Sequence, residues 1–425
     1  MARNRIIYQS EALFVGPIAG GQASAHSHIN RVQSISHDMS ATRTDIYEFG
    51  RLAPLDKVMI EPPTVNLDFS YLCTNGDAED KLGLCVAGHT SVTNVDKGKF
   101  GYNGTFPSMV SGLVDDGTVS PGEKNYYVVT VPESQDVNGV VMEAGDKRYN
   151  GYSVVGFGNG VISNYSVNGA VGDFPTASVS VEAFNVSFIS GFKSDDADGF
   201  ISGNAIPAVK KGDSKLMGGA FELPVPSTGS QNVFAVRPGD ITLNFDTNNA
   251  GTAGSEGQLS VGGATLTDDT NEDPDSSLEK KGQAEPMHLQ SFSIDAPLTR
   301  TALTRLGSTF PYYRAIEFPI DITLNTSAYL ADVQTGSLVD LICDDQKRMI
   351  DINMRIPCTT STARGPSETP ITLKYRLKNA QLISQNFAAA IGDTKTVDLS
   401  FQAQYGGAQD TENGLFISGH ANYTS

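Results

Sequence analysis

Thr64-Val-Asn-Leu-Asp-Phe-Ser-Tyr-Leu72 and Asp321-Ile-Thr-Leu-Asn-Thr-Ser-Ala-Tyr329 read as one strand written twice. Each alternates apolar and polar side chains, and a period of two gathers the apolar set on one face of a sheet. Outward from this pair the likeness continues without a gap, from Val32–Ser70 onto Leu289–Ser327, at a constant offset of 257. Gln33, Ser34, Ser36, Asp38, Thr42, Arg43, Thr44, Gly50, Pro54, Pro62, Leu67 and Ser70 all meet identical residues there. Ordinary residue usage would give roughly two to four such identities in a block of this size. A second block repeats in the same order: Ala170-Val-Gly-Asp173 falls on Ala390-Ile-Gly-Asp393, followed by Thr176 on Thr396, Ser180 on Ser400 and Ala183 on Ala403. The chain therefore reads as a tandem duplication. The blocks lie further apart in the first copy, so the first copy is expected to carry an inserted surface segment at about 87–150. The expected division is a first β-domain over 1–190, a connector rich in Gly, Asp and Pro over 191–239, and a second β-domain over 240–425.

Other segments follow the same alternation: Asn125–Val131, Ala177–Ala183, Asp240–Phe245, Ile371–Leu377 and Thr396–Phe401. Pro62-Pro63 and Pro319 stand at strand entrances, where a missing N–H does least harm. Helix is scarce. Ala78–Cys85, after Asn75-Gly-Asp77, predicts one or two turns, and Gly336–Asp344 predicts the matching helix of the second copy. The fold class is all-β with one short helix per domain, arranged as two tandem β-sandwiches or barrels. Asn248–Glu279, with its run of acidic residues, reads as an exposed loop.

A formal charge of −18 over 425 residues argues against affinity for nucleic acid or for an anionic membrane surface. Residues 191–285 concentrate this excess, with 15 acidic and 7 basic side chains. Gln9, Ser10 and Glu11 interrupt any apolar export segment, and no window approaches the ~20 apolar residues of a spanning helix, so no secretion is expected. The sequons at Asn103, Asn164, Asn185 and Asn325 then carry no glycan. The four cysteines (Cys73, Cys85, Cys343 and Cys358) are too few for a disulfide framework in a chain of this length, and they read as small buried residues.

Motifs for chemistry are sparse. Gly156-Phe-Gly158-Asn-Gly160 lacks the third glycine of a dinucleotide loop, since position 161 is Val161, and reads as a Gly-rich turn. Ser194-Asp-Asp196-Ala-Asp198-Gly199 resembles the start of a calcium loop, but its twelfth position is Ala205 where a Glu is needed, leaving a solvated turn as the expectation. His26-Ser-His28 is expected to be exposed. With six histidines and no nucleophile elbow, the sequence supports no hydrolase triad, and no catalytic, cofactor-binding or metal-binding residue is assigned. The expectation is that the protein is not an enzyme and uses no cofactor.

The run from Val154-Val-Gly-Phe-Gly-Asn-Gly-Val through Asn164-Tyr-Ser-Val-Asn-Gly-Ala-Val-Gly-Asp173 to Val181 resembles tail tube proteins of tailed bacteriophages. Ile29-Asn-Arg-Val-Gln-Ser-Ile-Ser-His-Asp38 and the Pro62-Pro63 strand are similar to the same type. The resemblance implies a structural virion protein: stacked rings of a β-sandwich domain whose inner strands form one barrel, with an acidic bore for DNA ejection. With a duplicated domain it implies three chains in a pseudo-hexameric ring. The implied partners are other copies of the chain and other tail proteins (tape measure, terminator and baseplate components). DNA passes without tight binding, no membrane is involved, and assembly takes place in the host cytoplasm. Rival readings are another virion part, such as a tail terminator, distal-tail or capsid decoration protein, and a carbohydrate-binding adhesin. The absence of Trp removes the usual sugar-stacking platform of the last.

Overall fold

The computed structural model describes residues 11–87, 108–114, 122–131, 152–192, 200–203, 205–213, 215–224, 236–246, 259–261, 264–266, 288–329, 347–355, 371–388, 396–407 and 410–419. The chain runs through β1 (Glu11–Gly16), β2 (Ser27–Ile29), β3 (Val32–Ser40), the hairpin β4–β5 (Thr44–Ile46, Asp56–Val58), β6 (Thr64–Leu72), α1 (Asp77–Leu82), β7 (Val86–Ala87), β8 (Lys124–Thr130), β9 (Tyr152–Ala170), β10 (Thr176–Ala183) and β11 (Asn185–Phe192). It continues through β12–β13 (Phe200–Gly203, Phe221–Pro224), β14 (Ile241–Asp246), β15–β16 (Leu259–Val261, Ala264–Leu266), β17 (His288–Pro297) and the hairpin β18–β19 (Arg300–Leu303, Tyr313–Ile316). Last come β20 (Ile320–Tyr329), β21 (Arg348–Arg355), β22 (Ile371–Ala388), β23 (Thr396–Tyr405) and β24 (Gly414–Gly419). The fold is all-β, as expected, with α1 the single α-helix among the described residues. The segment 336–344 lies outside them.

A central run of eight strands has the order β22-β23-β20-β17-β9-β10-β6-β3. Its two halves have the same plan, because β22-β23-β20-β17 and β9-β10-β6-β3 also share their registers. Val32 faces Tyr71 and Ser34 faces Ser70; Leu289 faces Ala328 and Ser291 faces Ser327, each pair of strands bulging at the same place. Thr176 faces Asn168 and Ser180 faces Asn164; Thr396 faces Ala388 and Ser400 faces Ser384, again with matching bulges. The correspondence extends to the outer layers. The first halves of β9 and β22 leave the central sheet, β9 to pair with β8 and β11, β22 to pair with β21 and β24. Beyond them β1 pairs with β8 and β14 with β21, so Leu13 and Leu243 hold matching positions. The apolar faces of both halves join in one core cluster. Leu67 and Leu324, the paired positions of the two strands read first, are 0% and 1% exposed.

Three expectations differ from this fold. Part of the expected insertion is core: β8 lies between β1 and β9, and Met109, Val110 and Leu113 are buried. Burial of Tyr126 through Val129 explains why that segment cannot project outward. Likewise 205–213 and 215–224, read as part of a connector, pack on the outer sheet of the first half, where Ile206, Phe221 and Leu223 join Phe14, Tyr127, Val129 and Val154 in a second apolar cluster. At the matching positions of the second half, Asp351, Asn353 and Lys374 replace Tyr127, Val129 and Val154. There the Asp351 carboxylate accepts two 2.6 Å bonds from Arg376 and lies 2.7 Å from Lys374. Finally, Asn248–Glu279 is not all loop, because β15 and β16 form a separate hairpin within it.

Candidate assembly interface

The two halves meet where β9 and β17 pair. Ser291 faces Ala170, Phe292 faces Gly169, Ile294 faces Val167 and Pro297 faces Asn164. Val167 and Ile294 are 0% and 2% exposed. Gly169 permits the approach, since a Cβ there would collide with the Phe292 ring. The junction is tied at its ends by Val171 N–H to the Gln290 carbonyl at 2.9 Å and Leu298 N–H to the Ser163 carbonyl at 2.8 Å. Asn164 Nδ2 donates to Asp295 Oδ1 at 3.2 Å across it.

By register, β3 is the counterpart of β17, and the second half of β22 is the counterpart of β9. These are the two ends of the eight-strand run, and among the described residues each has one neighbour there: β6 beside β3, β23 beside residues 381–388. Their side chains are correspondingly open. Phe387, the counterpart of Val167, is 48% exposed, and Ile383, the counterpart of Ser163, is 56% exposed. His37, the counterpart of Ile294, is exposed as well. Such edges offer unpaired ladder groups to another chain.

One face of the central run is polar along its middle, with Leu72, Ala170, Tyr329 and Ala388 toward its margin. It presents Ser34, Ser36 and Asp38 from β3; Asn66, Asp68 and Ser70 from β6; Ser178, Ser180 and Glu182 from β10; and Asn164, Ser166 and Asn168 from β9. It continues with Ser291, Ser293 and Asp295 from β17; Asp321, Thr323, Asn325 and Ser327 from β20; Asp398, Ser400 and Gln402 from β23; and Ser384 and Asn386 from β22. Among these residues Asp38, Asp68, Glu182, Asp295, Asp321 and Asp398 are acidic and none is Lys, Arg or His. Ser293, Ser327, Ser400 and Asn386 are among the residues lining a trough of ≈ 600 Å³ that spans β9, β17, β20, β23 and β22.

A buried polar centre locks the halves together behind this face. Glu79 of α1 accepts hydrogen bonds from Tyr71 at 3.0 Å, Tyr165 at 3.1 Å and Tyr375 at 3.3 Å, the last from β22. Burial pushes the Glu79 carboxyl above its ordinary range, and the three hydroxyl donors oppose that shift. Beside it β7 adds to β24 in parallel.

The flagged motifs do not gather into a site. Gly156, Gly158 and Gly160 lie within strand β9 and form no turn; a Cβ at Gly158 would collide with the Pro207 carbonyl. His26 is buried, against the expectation of exposure, because Gly16 leaves room for its ring and Tyr127 packs on it at 5.5 Å. His28 is brought down to about 4, by burial first and then by nearby Lys81. Cys73 is buried and Cys85 half-buried; Cys343, Cys358 and the stretch 194–199 lie outside the described residues. Among the described residues there is no cluster of His, Cys, Asp and Glu able to hold a metal, and no helix long and apolar enough to cross a membrane. The open edges were invisible in the sequence, where β3 and β17 carry the same pattern and nothing marks which has a neighbour. No protein-family model matches the chain, and no curated protein matches it either.

Proposed function

We propose that three copies of this chain close into a ring and that the rings stack into a tube conducting DNA, as the tail tube of a tailed bacteriophage. One observation carries this reading: the two open edges, β3 and the end of β22, are the register counterparts of the β17 and β9 strands that already pair within the chain. A contact of that kind between chains continues the sheet with its acidic polar face always on the same side. Transferring the register of the internal junction sets Ser36 opposite Ala388, His37 opposite Phe387, Asp38 opposite Asn386 and Ser40 opposite Ser384. Two such units per chain, which we assign to residues 1–190 and 240–425, make three chains equal to six positions. Closed symmetry then leaves no edge of the central run exposed. The carboxylate-bearing polar face suits a bore through which phosphate must slide without adhering.

Cryo-electron microscopy of the purified chain, at concentrations that drive association, tests the proposal. Three-chain rings joined by β3 and β22, stacked into cylinders with the Asp68 and Asp398 face inward, are expected. A chain that stays monomeric, rings of six chains, or a bore lined by Lys and Arg overturn it; rings that never stack point to a terminator instead.

A further inference from the structure

The hairpin β18–β19 is docked on the first half of its own chain. Arg314, 6% exposed, donates to the Glu182 carbonyl at 3.0 Å and to the Asn159 carbonyl, and its guanidinium lies 3.9 Å over the Phe184 ring. The hairpin β4–β5 has the same register, with Thr44 opposite Val58 as Thr301 is opposite Ala315, yet its side chains are largely exposed. Ile46, Tyr47, Leu52, Leu55, Met59 and Ile60 are between 39% and 104% exposed on it. Lys57, the counterpart of Arg314, lies 3.2 Å from Asp45 of its own hairpin. An apolar cluster of this density on a folded surface marks a covered face.

We infer that the β4–β5 hairpin docks on the second half of a neighbouring copy of this chain, with Lys57 directed at the backbone of Asn379 and Gln402. The inference rests on the ring reading and names the surface that would secure each closure beyond the strand pairing. The target is identified by register. Asn159 and Asn379 are counterparts, both left-handed at φ 55 and 54 and both beside a bulge in the outer sheet. Gln402 likewise matches Glu182, through their places opposite Gln381 and Val161. Where the first half has Glu123 beside the docked hairpin, the second has Lys347. Where the docked hairpin has Arg305 and Tyr313, the exposed one has Glu48 and Asp56. Asp56 is thereby set to meet Lys347, while Arg43 and Lys57 keep the positive charge of Arg300 and Arg314.

A photoreactive benzoylphenylalanine at Met59, in a mixture of ¹⁴N- and ¹⁵N-labelled full-length chains, tests the contact. Its counterpart Ile316 lines the cleft with Glu123, so mixed-isotope crosslinks to 347–352 or 376–380 are expected. Oligomers whose crosslinks map elsewhere overturn the docking while leaving the ring reading intact; a chain that forms no oligomer overturns both. In parallel, Lys57→Met is expected to raise the concentration needed for assembly about tenfold, the scale of one lost charge-assisted hydrogen bond, with the monomer's melting temperature unchanged. Assembly unaffected by Lys57→Met removes Lys57 from the contact and counts against the proposal.

Discussion

Glu79 shows what a single residue contributes here. Its carboxyl collects hydroxyls from β6, β9 and β22, residues 8, 86 and 296 positions away. Truncation to Ala leaves the Tyr71 hydroxyl without this acceptor, whereas Tyr165 and Tyr375 keep each other at 2.9 Å. Glu79→Ala is therefore expected to cost about 2 kcal/mol, read by urea denaturation at neutral pH. The pH dependence has a definite sign. Because burial holds the folded carboxyl above its ordinary 4.5, the folded chain keeps a proton that the unfolded chain has released. This group's contribution is complete below about pH 4.5 and declines as pH rises through the folded value. Glu79→Gln, which keeps an acceptor and cannot ionise, should gain on the native protein between pH 4 and 8; a constant difference across that range would mean the carboxyl titrates normally. In the sequence Glu79 is one more acidic residue of a short helix, because the partners that make it unusual are brought in only by the fold. His26 failed for the same reason: its burial depends on the vacancy at Gly16, which local pattern does not reveal.

At the scale of elements, the strands that alternate were legible and the strand that does not was misread. β6, β10, β20 and β23 bury every second residue, so their period announces them. β9 is a single strand of 19 residues serving two sheets, and its first half is buried on both faces, which erases the period. Glycines that admit Pro207 and the Tyr126 ring then imitate a turn. The repeat, however, allows one position to be tested in two settings. Val167 sits inside the β9–β17 junction at 0% exposure, while its counterpart Phe387 stands at an open edge at 48%. Val167→Asp places an unpaired carboxylate in the core and is expected to cost about 3 kcal/mol or more, visible in the denaturation midpoint. Phe387→Asp should leave the monomer's stability within about 1 kcal/mol and abolish association in sedimentation velocity. Phe387→Asp chains that associate normally would rule out the β22 edge as an assembly surface.

For the whole molecule, the sequence states the excess charge but not where it lies. Eighteen surplus carboxylates could coat any surface, and the acidic concentration over 191–285 includes none of the residues on the polar face. Strand register alone brings Asp38, Asp68, Glu182, Asp295, Asp321 and Asp398 onto one side of the eight-strand run. If that side lines a bore, its charge is functional and separable from folding, because Asp68, Asp321, Asn325 and Asp398 are exposed there. Replacing these four by Lys makes the face net positive with no change to the apolar side of any strand. The variant should still form rings by electron microscopy, since neither open edge is altered. DNA should then distinguish the two proteins. A positive face displaces counterions from phosphate, an effect that fades steeply with added salt, whereas a carboxylate face repels the duplex. Fluorescence anisotropy with a labelled duplex is expected to show retention by the variant rings at about 50 mM salt, release at several hundred millimolar, and no retention by the native rings at either. Intact variant rings that ignore DNA at low salt would place the polar face outside the bore, and the conduit reading would lose its electrostatic basis.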